Sequence, residues 1–168
     1  MLTFRDAAAS DAGLISHIYA SSWRSAYRGL IADHYLDRLP DEYWVPSIRS
    51  WLGSGQLYGL LVCENGRPVG CAIYGRARDA DYASWGEIVS LYLLPEATGR
   101  GIGSALLRET LSLLKQDGYI QCYLWAIEGN LVAEVFYLRH GFIKTDDRVT
   151  YHIGGQDVTD LRFVLADE

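Results

Sequence analysis

Cysteine is scarce in this chain: 3 among 168 residues, too few for a disulfide framework. No apolar stretch approaches the ~20 residues needed to span a bilayer, so no membrane segment is expected. The start, Met1-Leu2-Thr3-Phe4-Arg5-Asp6, lacks an apolar signal region, and secretion is not expected either. His17, His34, His140 and His152 are scattered without metal-ligand spacing, so no metal is expected. The G-x-S-x-G elbow that a Ser/His/Asp hydrolase would want is absent. Positive charge is in deficit, with 15 Lys and Arg against 21 Asp and Glu and a net charge of −6. Nucleic-acid phosphates would therefore meet a like-signed surface, and a nucleic-acid partner is not expected.

What is present reads as one globular domain over residues 1–168. Hydrophobic residues make up 49% and charged ones 21%, which excludes a disordered chain. Domains near this size bury roughly 70% of their unfolded surface and need no staples. Leu2–Arg5 reads as a short strand, after which Ser10 or Asp11 can cap a helix. Leu14, Ile15, Ile18, Tyr19, Ser22 and Ala26 fall on one side of that helix. From Ile31 to about Leu52 the chain reads as a broken helix punctuated by Pro40 and Pro46.

Leu57–Cys63 and Val69–Tyr74 form a hairpin whose two-residue turn is Asn65-Gly66. That register sets Cys63 opposite Pro68 and Cys71 opposite Leu60, which sends the two thiols to opposite faces, unpaired. Reduced, buried cysteines point to the cytoplasm. Trp85–Leu94 is a further strand, ended by Pro95. Arg100–Asp117 is a strong amphipathic helix, with Ile102, Leu106 and Thr110 on one face and Arg108, Ser112 and Lys115 opposite, stopped by Gly118. Tyr119–Ala126 is the next strand. Asn130 caps a short helix that stops at Gly141, and Phe142–Ile153 and Asp157–Leu165 make a second hairpin across Gly154-Gly155. The expected fold class is α/β (α+β), one mixed sheet of about seven strands flanked by helices.

The most informative stretch runs from Glu87 to Gly103, where a strand enters a glycine-rich loop that opens a helix. Glycines let backbone amides approach a ligand closely, and a helix N-terminus adds unpaired N–H groups and positive partial charge. Arg100 adds a formal cation, so the junction reads as an anion site. A P-loop would need a lysine after the glycines, and none follows. A dinucleotide fold would need G-x-G-x-x-G, whereas the spacing here is G-x-G-x-G. A plain glycine-rich turn also fits this segment taken alone.

The same stretch resembles the GNAT N-acetyltransferase superfamily, whose hallmark at this junction is [QR]-x-x-G-x-[GA]. Gly101 and Gly103 match the small positions, and Thr98 stands where the family prefers Gln or Arg. A second block, Asn130 to Phe142, resembles the family's N-x-x-A-x-x-F-Y-x-x-x-G-F at every specified position. The resemblance implies a GNAT fold that uses acetyl-coenzyme A as cosubstrate. It implies that amides from Thr98 through Gly99, Arg100, Gly101, Ile102 and Gly103 to Ser104 hold the coenzyme pyrophosphate. Thr98 would contribute through its backbone N–H. It also implies that the backbone of Leu91, Tyr92 and Leu93 pairs with the pantetheine arm like an added strand, and that Asn130 contacts the same arm.

The implied reaction is acetyl transfer to a primary amine by direct attack. A lysine-like amine has pKa ~10.4, so at pH 7 only about one molecule in two thousand is the free nucleophile. A base and a donor to the leaving thiolate answer the two needs. Glu87 is the candidate base, in an E-I-V context similar to that of the family's histone acetyltransferases, with Trp85, Ile88 and Val89 available to desolvate it. The competing reading is a solvent-facing carboxylate, or one paired with Arg76 or Arg78. Tyr137 is the candidate donor, against a half-buried tyrosine packing beside Phe136. Trp23 and Tyr27, one helical turn apart, are candidates for the acceptor wall, as are Tyr74, Tyr151 and His152; core packing explains Trp23 and Tyr27 equally well. Rival functions are transfer to a protein N-terminus, another acyl donor, a coenzyme-A-binding sensor without turnover, and a nucleotide-phosphate binder. A homodimer is left open by the resemblance.

Overall fold

The computed structural model describes residues 1–166; Asp167 and Glu168, which end the expected domain, lie outside them. The chain runs β1 (Leu2–Ala7), α1 (Ala12–Ala26), α2 (Asp33–Arg38), α3 (Val45–Ser54), β2 (Tyr58–Glu64), β3 (Arg67–Arg76) and β4 (Gly86–Leu93). It continues through α4 (Ile102–Gln116), β5 (Cys122–Ile127), α5 (Leu131–Arg139), β6 (Ile143–Ile153) and β7 (Gln156–Leu165). The strands form one seven-stranded sheet in the order β1-β2-β3-β4-β5-β7-β6. Every pairing is antiparallel except β4 with β5. The expected mixed α/β sheet of about seven strands is the one observed.

Alternation in the strands sets which face each residue serves. Leu52 of α3 packs over Gly59 and Ile73 on one face of the sheet, and α1 lies beside α3. On the other face Leu114 of α4 packs over Gly86, and Phe136 of α5 lies against Gly103. Helix α4 buries Ile102, Leu106, Leu107, Thr110 and Leu114, the stripe its periodicity predicts. Fully burying a Leu or Ile contributes about 1.5–3 kcal/mol, so this stripe alone anchors the helix. A smaller cluster of Tyr27, Ile31, Leu36, Ile127 and Val158 closes the sheet under α2.

Local details depart from the sequence reading in four places. Asp11 stands at the N-cap of α1, but its carboxylate turns back to accept from the Ala8 amide at 2.8 Å and from Arg5 at 2.9 and 3.0 Å. The Arg5 hydrogen bonds hold that carboxyl below the usual range. Pro46 does not interrupt a helix; it sits in the first turn of α3, where a missing N–H costs nothing. The strand expected from Tyr119 begins only at Cys122.

The fourth departure is in the first hairpin. Cys63 does face Pro68, but a register shift after Val62 sets Cys71 opposite Leu61, not Leu60. The two thiols are therefore offset along the strands and not separated by face. Such diagonal neighbours have Cα atoms ~7–8 Å apart, past disulfide reach. All three cysteines are free and buried. No helix among the described residues is long and apolar enough to cross a membrane.

One irregularity shapes the site. Ser90 pairs with Ile73 and Ile88 with Tyr74, so Val89 is an extra residue and β4 bulges there. Strand β5 pairs with β4 only through Gly86, Glu87 and Ile88, while it follows β7 all the way to Ile127. Beyond Ile88 the parallel pair splays open.

Candidate active site

The splay leaves one edge of β4 without a strand partner from Val89 to Leu93, while the other edge keeps Leu91, Tyr92 and Leu93 on Ala72, Cys71 and Gly70. An extended ligand can add to such an edge through backbone hydrogen bonds. The open edge leads directly into the glycine loop. Gly99 and Gly101 take φ of +74° and +81°, and Gly101 is the N-cap of α4. The amides of Gly99, Arg100, Gly101, Ile102, Gly103 and Ser104 make no hydrogen bond with the described residues. Three of these open the first turn of α4, where the helix supplies no acceptor. Together they suit a di-anionic phosphate group, and the residues fit the pyrophosphate end of acetyl-coenzyme A.

Two members of the loop differ from expectation. The Thr98 N–H is not free, because it donates to the Pro95 carbonyl at 3.3 Å and the Thr98 hydroxyl does so at 2.8 Å. The Arg100 guanidinium is engaged by Glu64 at 2.9 and 3.1 Å, so its charge is partly answered within the protein.

Helix α5 supplies the next piece. The Asn130 side chain accepts from the Ala133 amide at 3.3 Å and caps it. Tyr137 packs its ring against Phe136, Phe142 and Phe163. Its hydroxyl makes no hydrogen bond with the described residues, and burial pushes its pKa above the usual tyrosine value. It is a protonated, unpartnered donor.

On the α1 face of the split the aromatic residues converge. Trp23 Nε1 donates to the Tyr92 hydroxyl at 3.0 Å, and the Tyr27 hydroxyl lies 3.3 Å from the same oxygen. Tyr19 hydrogen-bonds Ser90 one step along β4. From the second hairpin, Tyr151 donates to Asp160 at 2.9 Å. Burial, then the Asp160 charge, raises the Tyr151 hydroxyl. The Tyr27 and Tyr92 hydroxyls are likewise raised, chiefly by burial, with Asp160 adding to each. Asp160 itself is raised by burial, against the opposing hydrogen bond from Tyr151.

Glu87 is buried at 1% exposure and, opposite Gly75, lies on the same face of the sheet as Ile73. Its carboxylate accepts from the Arg78 amide at 3.0 Å, Arg78 Nε at 3.1 Å, Arg78 Nη2 at 2.7 Å and the Tyr123 hydroxyl at 3.1 Å. Of the pairings weighed from sequence, Arg78 is the one formed. Trp85 does not desolvate it, since that ring packs on Tyr82. Next to this pair, Arg162 is wrapped by the rings of Tyr82, Tyr123 and Trp125 at 4.1, 4.6 and 4.4 Å. It floors a groove of about 510 Å³ rimmed by Asp79, Asp81 and Asp147. That groove is away from the glycine loop and the open edge.

Two expected acceptor residues are not in this group. Tyr74 pairs with Ile88 and turns to the α4 face, where burial, then the charge of Asp6, pushes it up to about 12. His152 alternates with Tyr151, so its ring lies on the far face against Asp157 at 3.1 Å, with a side chain 67% exposed.

A family model described as the acetyltransferase (GNAT) family matches residues 17–142. The chain belongs to the GNAT acetyltransferase family. It is 32% identical over 132 residues to the uncharacterized N-acetyltransferase YuaI of Bacillus subtilis, covering 77% of this chain and 74% of that one. It is 25% identical over 147 residues to the spermidine N(1)-acetyltransferase of Thermoplasma acidophilum, covering 87% and 90%. The crystal structure of the PaiA N-acetyltransferase of Thermoplasma acidophilum in complex with coenzyme A superposes with a TM-score of 0.72 at 21% identity, covering 95% of this chain and 98% of that one. This GNAT chain is thus an acetyl-coenzyme-A-dependent N-acetyltransferase.

Asp160 is the residue that sequence reasoning missed. The signal was available: in Asp157-Val158-Thr159-Asp160, alternation puts Asp160 on the face of buried Val158. Which helix covers that face is a tertiary fact.

Proposed function

We propose that this GNAT enzyme transfers acetyl from acetyl-coenzyme A to a primary amine by direct attack of the amine nitrogen on the thioester carbon. The observation that carries the reading is the open β4 edge, which runs into six amides free of hydrogen bonds with the described residues. In this reading Leu91, Tyr92 and Leu93 pair with the pantetheine, the amides of Gly99 to Ser104 take the pyrophosphate, and Asn130 adds a contact. Thr98 serves as the turn that presents them. The amine acceptor is supported by the relative named for spermidine.

As the nitrogen–carbon bond forms and the carbon–sulfur bond breaks, negative charge gathers on sulfur and a proton must leave nitrogen. Tyr137 answers the first need. A thiol has pKa ~8.5 against ~10 for tyrosine, and burial raises Tyr137 further, so full proton transfer is uphill. A hydrogen bond to the developing thiolate is still favourable in a dry site. Glu87 is assigned the proton from nitrogen, on a condition set by its geometry. Three donors crowd Oε1, whereas Oε2 accepts only from Arg78 Nη2 and keeps a lone pair for the proton. Arg78, with a side chain 41% exposed, has to leave the acceptor a path to that oxygen.

The test is thiol release from acetyl-coenzyme A with a panel of amines, each product identified by its mass shift, for the parent and for Tyr137→Phe. The phenyl ring keeps the packing, so cofactor affinity should hold while kcat falls about 100-fold, the low end for a positioned acid. Single-turnover rates that match the parent would remove Tyr137 from the chemistry. No thiol release with any amine would remove the reaction.

A further inference from the structure

Asp160 stands out among the charged groups of the molecule. Other partly buried carboxylates find cations: Glu87 pairs with Arg78, Asp79 with Arg162 and Asp11 with Arg5. Asp160 has a tyrosine hydroxyl at 2.9 Å, and among the described residues no Arg, Lys or His nitrogen forms an ion pair with it. An uncompensated carboxylate in such a place costs free energy, which a bound cation would relieve. Its position is on β7 opposite Ile127, past the point where β4 and β5 part.

The surroundings suit a cation. Tyr151 of β6 donates to Asp160, and Tyr27, Trp23, Tyr92 and Tyr151 pack in one cluster with Val158 and with Ile127, the cross-strand partner of Asp160. Aromatic faces attract ammonium groups, the more so when water is excluded. The same cluster leads to the chemistry, because Tyr92, which Trp23 and Tyr27 meet, lies in the stretch of β4 assigned to the pantetheine arm.

We propose that Asp160, walled by Trp23, Tyr27, Tyr92 and Tyr151, is the counter-charge for a second cationic group on the acceptor, so that the enzyme selects diamines and polyamines over monoamines. The attacking nitrogen has to be neutral when it attacks. Its proton is assigned to Glu87, so Asp160 is left to serve a different nitrogen. A negative charge a short distance away is matched to an amine that stays protonated throughout. This assignment rests on the amine acetyltransfer proposed above.

The experiment compares kcat/KM for 1,4-diaminobutane and 1-aminobutane, extended to the propane, pentane and hexane pairs so that one spacing reaches. A charge-assisted contact predicts a roughly 10- to 100-fold preference for the diamine at its best length. In Asp160→Asn that ratio should fall to near unity with acetyl-coenzyme A affinity unchanged. Tyr151→Phe removes the hydrogen bond that favours the charged carboxylate, so the preference should weaken. Equal use of diamines and monoamines by the parent, or a preference retained in Asp160→Asn, overturns the assignment while leaving acetyl transfer standing. Silence with every amine overturns both.

Discussion

At the scale of single residues, Glu87 and Asp160 are two carboxylates on one face of one sheet with opposite circumstances. Glu87 accepts four hydrogen bonds, three of them from Arg78, and is 1% exposed. Asp160 accepts one and, among the described residues, pairs with no cation. The contrast makes Glu87→Gln informative in two measurements. Gln keeps the shape but loses the charge, leaving Arg78 without its counter-ion. Breaking a buried pair from one side costs ~3–5 kcal/mol, but an Arg78 side chain 41% exposed can rehydrate, so about 1–2 kcal/mol is expected. That loss would be read from a denaturant midpoint. For activity, the proposal expects lower turnover with a high-pKa amine at pH 7 and partial recovery as pH rises and free amine appears. A loss equal at every pH would make Glu87 the clamp that places Arg78, and nothing more.

At the scale of elements, the loop between β4 and α4 separates two uses of glycine. Gly101 has φ +81° with open space around an added Cβ, so Gly101→Ala meets strain without a clash. The left-handed conformation costs a Cβ-bearing residue ~1–2 kcal/mol, which should appear as lost stability. Gly103 has no such constraint, and a Cβ there would meet Leu93 at 3.6 Å and Phe136 at 3.7 Å, ordinary contacts. The branches of Gly103→Val would extend between the end of β4 and α5, the space assigned to pantetheine. That variant should melt close to the parent and lose acetyl-coenzyme A binding by calorimetry. Unchanged affinity would place the arm elsewhere.

The same elements show what a sequence can carry. Helix α4, the Asn130 cap and both hairpin turns are written in short-range signals and appear where those signals put them. Tyr137 was legible because a motif of fixed spacing surrounds it. Cys71, Tyr74 and His152 were misplaced for related reasons: a bulge or a phase of alternation decides a face, and neither leaves a mark in residue type. Asp160 needed more still, since α1, β4 and β6 approach it from three distant parts of the chain.

At the scale of the whole molecule, the site is divided between the two faces of the sheet. Tyr137 and the glycine loop belong to the α4 and α5 side, and Trp23, Tyr27 and Asp160 belong to the α1 side. The splay between β4 and β5 is a seam they share, and at that seam the sheet has given up its own backbone pairing. A ligand that restores those pairings and also answers the loop amides binds the folded chain and has nothing comparable to bind in the unfolded one. Its binding free energy therefore adds to stability by mass action. At a free concentration 100 times its Kd the gain is about 2.7 kcal/mol. For a chain of this size each kcal/mol moves Tm by about 2–4 °C, so a rise of roughly 5–10 °C is expected with acetyl-coenzyme A. ATP and NAD carry phosphates for the loop but no pantetheine for the open edge, and they should give a far smaller rise at the same concentration. The rise should also vanish in Gly103→Val, whose fold is kept but whose seam is blocked. A rise with ATP or NAD equal to that with acetyl-coenzyme A would mean that the loop binds phosphate alone and that the open edge of β4 takes no part.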